Sequence, residues 1–443
     1  MRIQLSEHFT YKKLLIFVFP SIIMMVFTSV YSVVDGLFVS NFAGASAVAA
    51  ISLIFPLIFV LGSIGFMLGA GGSALISKTL GEGDKEKANA YFSMLVYVTF
   101  GIGVIIAVAG QFIVPPIAKW FGAEGKTYDY CVLYGRVLIG AQPFFILQNV
   151  FQSFFVAAEK PRLGLIVTAA AGVANIILDA VFVAGFKWGL AGAAAATAAS
   201  QVIGGVVPVI YFFTKNSSLL RFTKTKFYGR ALLKACTNGS SEFLANVSAA
   251  VVTMLYNFQI QKIIAGDDGL AAYGAMMYVA MIFYAIFMGY AVGSAPLFAY
   301  NYGADNREEL KNLFKKSMII TAVSGISMTV LSEALAYPFF KIFGYNVEIF
   351  DMTLRGFRIY APAFLIAGFS YFGSSMFTAL NNGLVSGIIS FMRTLVFQVA
   401  AVLVFPIFFG IDGVWSATVF AEIISLAVTA VFVIALRKKY GYA

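Results

Sequence analysis

Twelve apolar runs, each long enough to cross a bilayer as a helix, follow one another along the chain. They are Leu14–Val39, Ala49–Ile76, Ala90–Val114, Val132–Val156, Leu163–Ala184, Gly189–Phe213, Cys236–Ile264, Leu270–Tyr300, Met318–Phe340, Phe357–Ala379, Val385–Phe408 and Val414–Leu436. A helical crossing needs about 20 apolar residues, and backbone inside lipid must satisfy its own hydrogen bonds. The predicted fold class is therefore an all-α polytopic membrane protein with twelve transmembrane helices. Only 11% of the residues are charged, against about a quarter in soluble domains. The first run contains Pro20, is too long for a signal-peptide core and has no small-residue cleavage pattern after it, so it is expected to be a retained span.

The net charge of +10 raises the question of nucleic acid. The basic residues lie between the apolar runs and not in one patch interleaved with aromatics, so they read as topology signals and no nucleic-acid partner is expected. One side of the membrane receives Lys12 and Lys13, the Lys78–Lys87 loop, Lys160 and Arg162, the stretch Lys215–Lys234, the Arg307–Lys316 loop and Arg437–Lys439. The other side has sparser charge, such as Lys119, Arg136, Lys187 and Lys341. The positive-inside rule then places both termini in the cytoplasm. Cys131 and Cys236 fall near opposite faces and are not expected to pair. The single histidine, His8, lies outside the spans, so zinc sites and histidine-based triads lack ligands, and no phosphate loop of the GxxxxGK[ST] kind is present. An enzyme and a cofactor are not expected.

The chain also repeats itself. A shift of 222 residues brings Gly44 onto Gly266, Ala49–Ala50 onto Ala271–Ala272, Gly71 onto Gly293, and the loop GEGDKEKANAYF at Gly81 onto GADNREELKNLF at Gly303. Near the ends of the halves the shift is 221, with GLAGAAAATAASQ at Gly189 meeting GIDGVWSATVFAE at Gly410. Six spans per half keep both halves in one orientation, the parallel-repeat architecture with a site between the halves. The expected units are an N-lobe over residues 1–213, a basic linker over 214–234 and a C-lobe over 235–443.

Against this apolar background the ionisable residues at depth stand out. Asp35 is the only one in its run apart from tyrosine. A carboxylate at bilayer depth costs a few kcal/mol. Asp179 lies in LGLIVTAAAGVANIILDAVFVAGF with Asn175 one turn before it, and Thr197 lies in the next span. Together they offer hard oxygen ligands for Na⁺, and a close carboxylate pair also suits proton storage. The alternative is helix glue, polar groups bonding across helices. Under the repeat Asp35 aligns with Asn257 and Asp179 with Ala400, so the C-lobe lacks both carboxylates. Such asymmetry favours ion coupling in the N-lobe over shared scaffolding. The C-lobe has its own acids: Glu422 in span 12, functional or glue, and Glu242 in span 7, either a cation site or a helix-start acid. Pro20 reads as a hinge or a static kink. The glycines of span 2 read as close helix packing.

These residues resemble the MATE family of multidrug and toxic-compound extrusion transporters over essentially the whole chain. The likeness is carried by SVVDGLFVSNFAGASAVAA at Ser32, GAGGSALISKTLGEGDKEKANAYF at Gly69, AAEKPRLGLIVTAAAGVANIILDAVFV at Ala157 and KWGLAGAAAATAASQ at Lys187. Within the family the chain looks most like MepA-type bacterial members, with an N-lobe polar set like that of DinF and archaeal members. The resemblance implies two six-helix lobes around a central cavity in a bacterial plasma membrane, working as a monomer. It implies export of cationic or amphiphilic organic compounds in exchange for H⁺ or Na⁺. It also implies a cation site at Asp35, Asn175, Asp179 and Thr197, further polar positions at Tyr31, Tyr134 and Asn149, and a bend at Pro20. Glu242 matches the span 7 acid of NorM-type members, but their span 10 aspartate is missing, since Tyr360–Arg393 holds no Asp or Glu. The rival within the superfamily is a flippase for lipid-linked precursors. Its cavity calls for several deep Arg or Lys residues, and only Arg393 lies deep here.

Overall fold

The computed structural model describes residues 3–42, 44–264, 268–341 and 346–443 of the 443. Helices and no strands are found among the described residues. In chain order they are α1 (Tyr11–Phe42), α2 (Ala45–Gly81), α3 (Lys85–Trp120), α4 (Gly125–Gly140), α5 (Gln142–Ala157), α6 (Pro161–Asp179), α7 (Gly189–Phe213), α8 (Gly229–Ile263), α9 (Asp268–Gly303), α10 (Arg307–Lys341), α11 (Val347–Tyr360), α12 (Ala363–Ala379), α13 (Gly383–Phe391) and α14 (Phe397–Tyr440). Wider π-turns, Ala180–Gly185 and Met392–Val396, follow α6 and α13.

Continuous length and apolarity alone yield nine crossings among the described residues, or ten when the α4–α5 pair, bent by 54°, counts as one. Two breaks account for the rest. Span 10 is α11 and α12, interrupted at Ala361–Pro362, where the proline has no N–H to continue the ladder. Spans 11 and 12 meet inside α14 at Gly410, whose φ of 56° and ψ of −134° suit only glycine. The chain folds back there: the rings of Phe405 and Phe420 are 4.7 Å apart, whereas fifteen residues of straight helix span about 22 Å. All twelve expected spans are thus helical, and the broken ones could not be told from straight ones by apolarity. Large side chains such as Phe112 (77% exposed) and Ile407 (76%) point outward along the bundle, as a lipid-facing surface requires. The end of the linker is already helical, since α8 starts at Gly229.

The repeat survives in the backbone. Left-handed residues recur in register: Gly83 with Asp305, Glu159 with Asn381, and Gly189 with Gly410. Gly266, the partner of Gly44, lies outside the described residues. The two halves meet where α2 packs on α8 and α9, and α1 on α9. A Cβ on Gly81 would lie 2.0 Å from the Tyr300 carbonyl oxygen, and one on Gly303 would lie 2.0 Å from that of Lys78. Those two contacts are images of each other under the 222-residue shift, as a two-fold axis between the halves demands. Other span 2 glycines, such as Gly65 and Gly71, press against α5 and α8, which is the close packing expected of them.

At the same end of the bundle residues 3–10 form a strap. Leu5 N–H donates to Glu159 Oε1 (2.8 Å) in the first half, and Phe9 N–H donates to Glu309 Oε1 (2.9 Å) in the second. His8 Nδ1 lies 2.6 Å from Glu309 Oε2, and Asn312 and Lys316 donate to the Phe9 carbonyl. Leu5 and Phe9 are fully buried. Cys131 and Cys236 are both free.

Candidate functional site

Three N-lobe helices each present two polar side chains one turn apart: Tyr31 and Asp35 on α1, Asn175 and Asp179 on α6, Thr197 and Gln201 on α7. Packing brings the three helices together. α1 lies on α6 so closely that a Cβ on Gly172 would sit 2.8 Å from the Tyr31 ring, and α7 runs along α6. α5 adds Gln148, which lies against Gly204 of α7 and beside the Tyr31 hydroxyl. Asp179 is fully buried and Asp35 half-buried. Their carboxyl groups lie within hydrogen-bonding reach of each other once one carries a proton. Tyr134, buried on α4, is within electrostatic reach of both. The helix widens into a π-turn directly after Asp179, a local irregularity that recurs at functional sites.

The hydrogen-bond accounting is lopsided. Asp35 Oδ1, both Asp179 oxygens, Gln148 Oε1 and Gln201 Oε1 are buried acceptors without a donor, against two unpaired amide donors, Asn149 Nδ2 and Asn175 Nδ2, and one unpaired hydroxyl, Thr197 Oγ1, which can donate or accept. Buried polar groups are normally satisfied, and two adjoining carboxylates are relieved by a shared proton or a bound cation. Hard oxygens in this number fit a monovalent cation or a proton. No group of three or more His, Cys, Asp or Glu gathers among the described residues, so the carboxylates work as a pair. Asn149 packs instead against Gly65 of α2. Pro20 is buried inside an unbroken α1.

The C-lobe holds a different cluster. Arg393 and Glu422 are 8% and 2% exposed, with Nε and Oε1 3.6 Å apart. The guanidinium carbon sits 3.6 Å over the Tyr371 ring centroid. Glu242 is half-buried within electrostatic reach of Arg393. It stands 13 residues into α8, more than three turns from its start, which overturns its reading as a helix-start acid. Tyr360 donates to the Tyr284 hydroxyl (3.2 Å), and Tyr256 donates to Gln398 Oε1 (2.8 Å). Asn257 is exposed on α8, on the side of Met254 and Phe258. Glu333 pairs loosely with Arg358 at 3.8 Å.

Sequence reasoning missed Gln148 and Gln201 as members of the N-lobe set, although amides in apolar runs were a visible signal. It also treated Arg393 and Glu422 separately, although opposite charges in consecutive spans hinted at a pair.

This helical membrane bundle is matched by the MatE family model twice, over residues 20–181 and 243–404. The chain belongs to the MatE family. Multidrug export protein MepA of Staphylococcus saprophyticus is 27% identical over 422 residues, covering 94% of this chain and 92% of its own. MepA of Staphylococcus haemolyticus is 27% identical over 436 residues, covering 98% and 95%. A solved MATE multidrug resistance transporter of the MOP superfamily in its outward-facing conformation superposes with a TM-score of 0.91 at 23% identity, over 97% of this chain and 98% of that one. At that identity the shared feature is the fold.

Proposed function

We propose that the protein is a secondary-active multidrug exporter of the cell membrane, with both termini cytoplasmic, that exchanges H⁺ or Na⁺ for cationic and amphiphilic organic compounds. The observation that carries this is the Asp35–Asp179 pair with its surplus of unsatisfied oxygens. The names of the staphylococcal relatives, which describe multidrug export by those proteins, support the direction and breadth of transport.

The coupling follows from linkage. With the cavity open outside, Asp35 and Asp179 take up a proton or Na⁺, completed in the latter case by oxygens of Thr197, Gln201 or Asn175. The neutralised pair holds a cationic substrate less well, and the substrate leaves. The loaded protein rocks about the inter-lobe contact, and cation release on the cytoplasmic side restores substrate binding. Two ligands that disfavour each other at one site drive exchange. The glycine contacts at the end carrying the strap and basic loops favour a cavity that opens at the opposite, outer end. A flippase for pyrophosphate lipids is disfavoured, because the buried Arg393 is neutralised by Glu422.

The test is export of a fluorescent cationic dye from proteoliposomes, with pH and Na⁺ gradients imposed separately. One gradient is expected to drive export, and Asp35→Asn to abolish it. Wild-type export rates from Asp35→Asn at equal protein levels refute the coupling role.

A further inference from the structure

The C-lobe cluster contains a cation of its own. A guanidinium carries five N–H donors, yet Arg393 reaches Glu422 only at 3.6 Å, beyond hydrogen-bond distance, and otherwise rests on Tyr371. Glu422 Oε2 is buried without a donor. Glu242 has Arg393 as its charge neighbour and is itself half-buried. Two carboxylates therefore share one tethered positive charge, and with both ionised the cluster carries a surplus of one negative. Around them stand Tyr284, Tyr360 and Tyr371, linked to one another by ring contacts. Phenol faces beside a surplus carboxylate are the recognition chemistry of an organic cation. Arg393 takes the part of that cation over Tyr371, at stacking distance.

We propose that Arg393 is a specificity-determining residue: as a tethered counter-ion of Glu422 it sets the charge count of a C-lobe organic-cation subsite to one, so that monocations are accepted over dications of the same ring system. With Arg393 in place Glu422 is neutralised and only Glu242 is left to a substrate. Without it both carboxylates face the substrate, and a second positive charge becomes favourable. The inference rests on the exporter reading for its biological meaning, but the charge count is a binding property.

The test is equilibrium binding of ethidium and propidium, which share a ring system but carry one and two positive charges, to full-length purified protein, with dye export by proteoliposomes measured alongside. Wild-type protein is expected to bind ethidium more tightly. Arg393→Gln is expected to move the propidium-to-ethidium affinity ratio upward on the order of tenfold, the effect of one unit charge roughly 12 Å from the dye's second charge at an effective dielectric constant of about 20. Arg393→Gln combined with Glu422→Gln restores a count of one and is expected to return the wild-type ratio. Should Arg393→Gln not fold by thermal melting, Glu422→Gln serves: it leaves a count of zero and is expected to weaken ethidium on the order of tenfold and propidium by more, since both of its charges lose the same interaction. An unchanged ratio in folded Arg393→Gln, unchanged affinities in Glu422→Gln, or a wild-type protein that binds neither dye overturns the proposal. Wild-type binding with the expected ratios but no export supports the charge count and refutes only the exporter reading.

Discussion

Replacing Asp179 with Asn should make the protein more stable and less functional at once. Asp179 is fully buried, neither of its oxygens meets a donor, and its neighbour is a second carboxylate. Two unit charges about 4 Å apart repel by about 4 kcal/mol at an effective dielectric constant of about 20. Part of that is already relieved by a shared proton, so the net gain expected from Asp179→Asn is about 1–3 kcal/mol. The new amide also supplies a donor to Asp35 Oδ1, one of the orphaned acceptors, and a satisfied buried bond contributes about 1 kcal/mol of that total. The assay is thermal unfolding of purified protein with and without Na⁺, and across pH. An ion that binds only the folded state stabilises it by about 2.7 kcal/mol at 100 times its Kd. Wild type is expected to show that increment with the coupling ion, and Asp179→Asn to begin higher and show almost none. Asp179→Asn that is less stable than wild type and still exports dye refutes the account of the pair as a cation site held at a cost in stability.

Two further outcomes are expected. Gly81→Val puts a side chain where a Cβ alone would lie 2.0 Å from the Tyr300 carbonyl oxygen. The halves must then separate at that end, at a cost of about 3 kcal/mol, and cysteine cross-linking between α2 and α9 near the strap should slow markedly while expression persists. Glu309→Ala removes the acceptor for Phe9 N–H and Asn312 Nδ2 and the partner of His8. Bonds to a charged group contribute about 1.5–3 kcal/mol each, so the strap should detach and limited proteolysis should cut within residues 3–10 while the bundle stays protected; unchanged protection would show that Leu5 and Phe9 hold the strap by apolar burial alone.

Much was legible before any coordinates. Apolar run lengths gave all twelve crossings, because lipid leaves a backbone no alternative to helix over that distance. A constant shift gave the duplication, because paired loops keep the same turn geometry, as Gly83 with Asp305 and Glu159 with Asn381 do. Asp35, Asn175 and Asp179 stood out by solvation cost alone. The breaks at Ala141 and Ala361–Pro362 were not legible, since each interrupts a run without altering its hydropathy, whereas the turn at Gly410 falls in the gap between the eleventh and twelfth apolar runs.

What the sequence by itself determined was the solvent of each segment and the depth of each charge, both of which follow from side-chain transfer energies one residue at a time. What only the tertiary structure decided was company. It set Asp35 against Asp179, brought Gln148 to Tyr31, joined Arg393 to Glu422 over Tyr371, and left Asn257 on an exposed face. Those outcomes depend on helix rotation and on glycine contacts between backbones distant in sequence, and helix periodicity fixes which residues share a face but not which other face they meet.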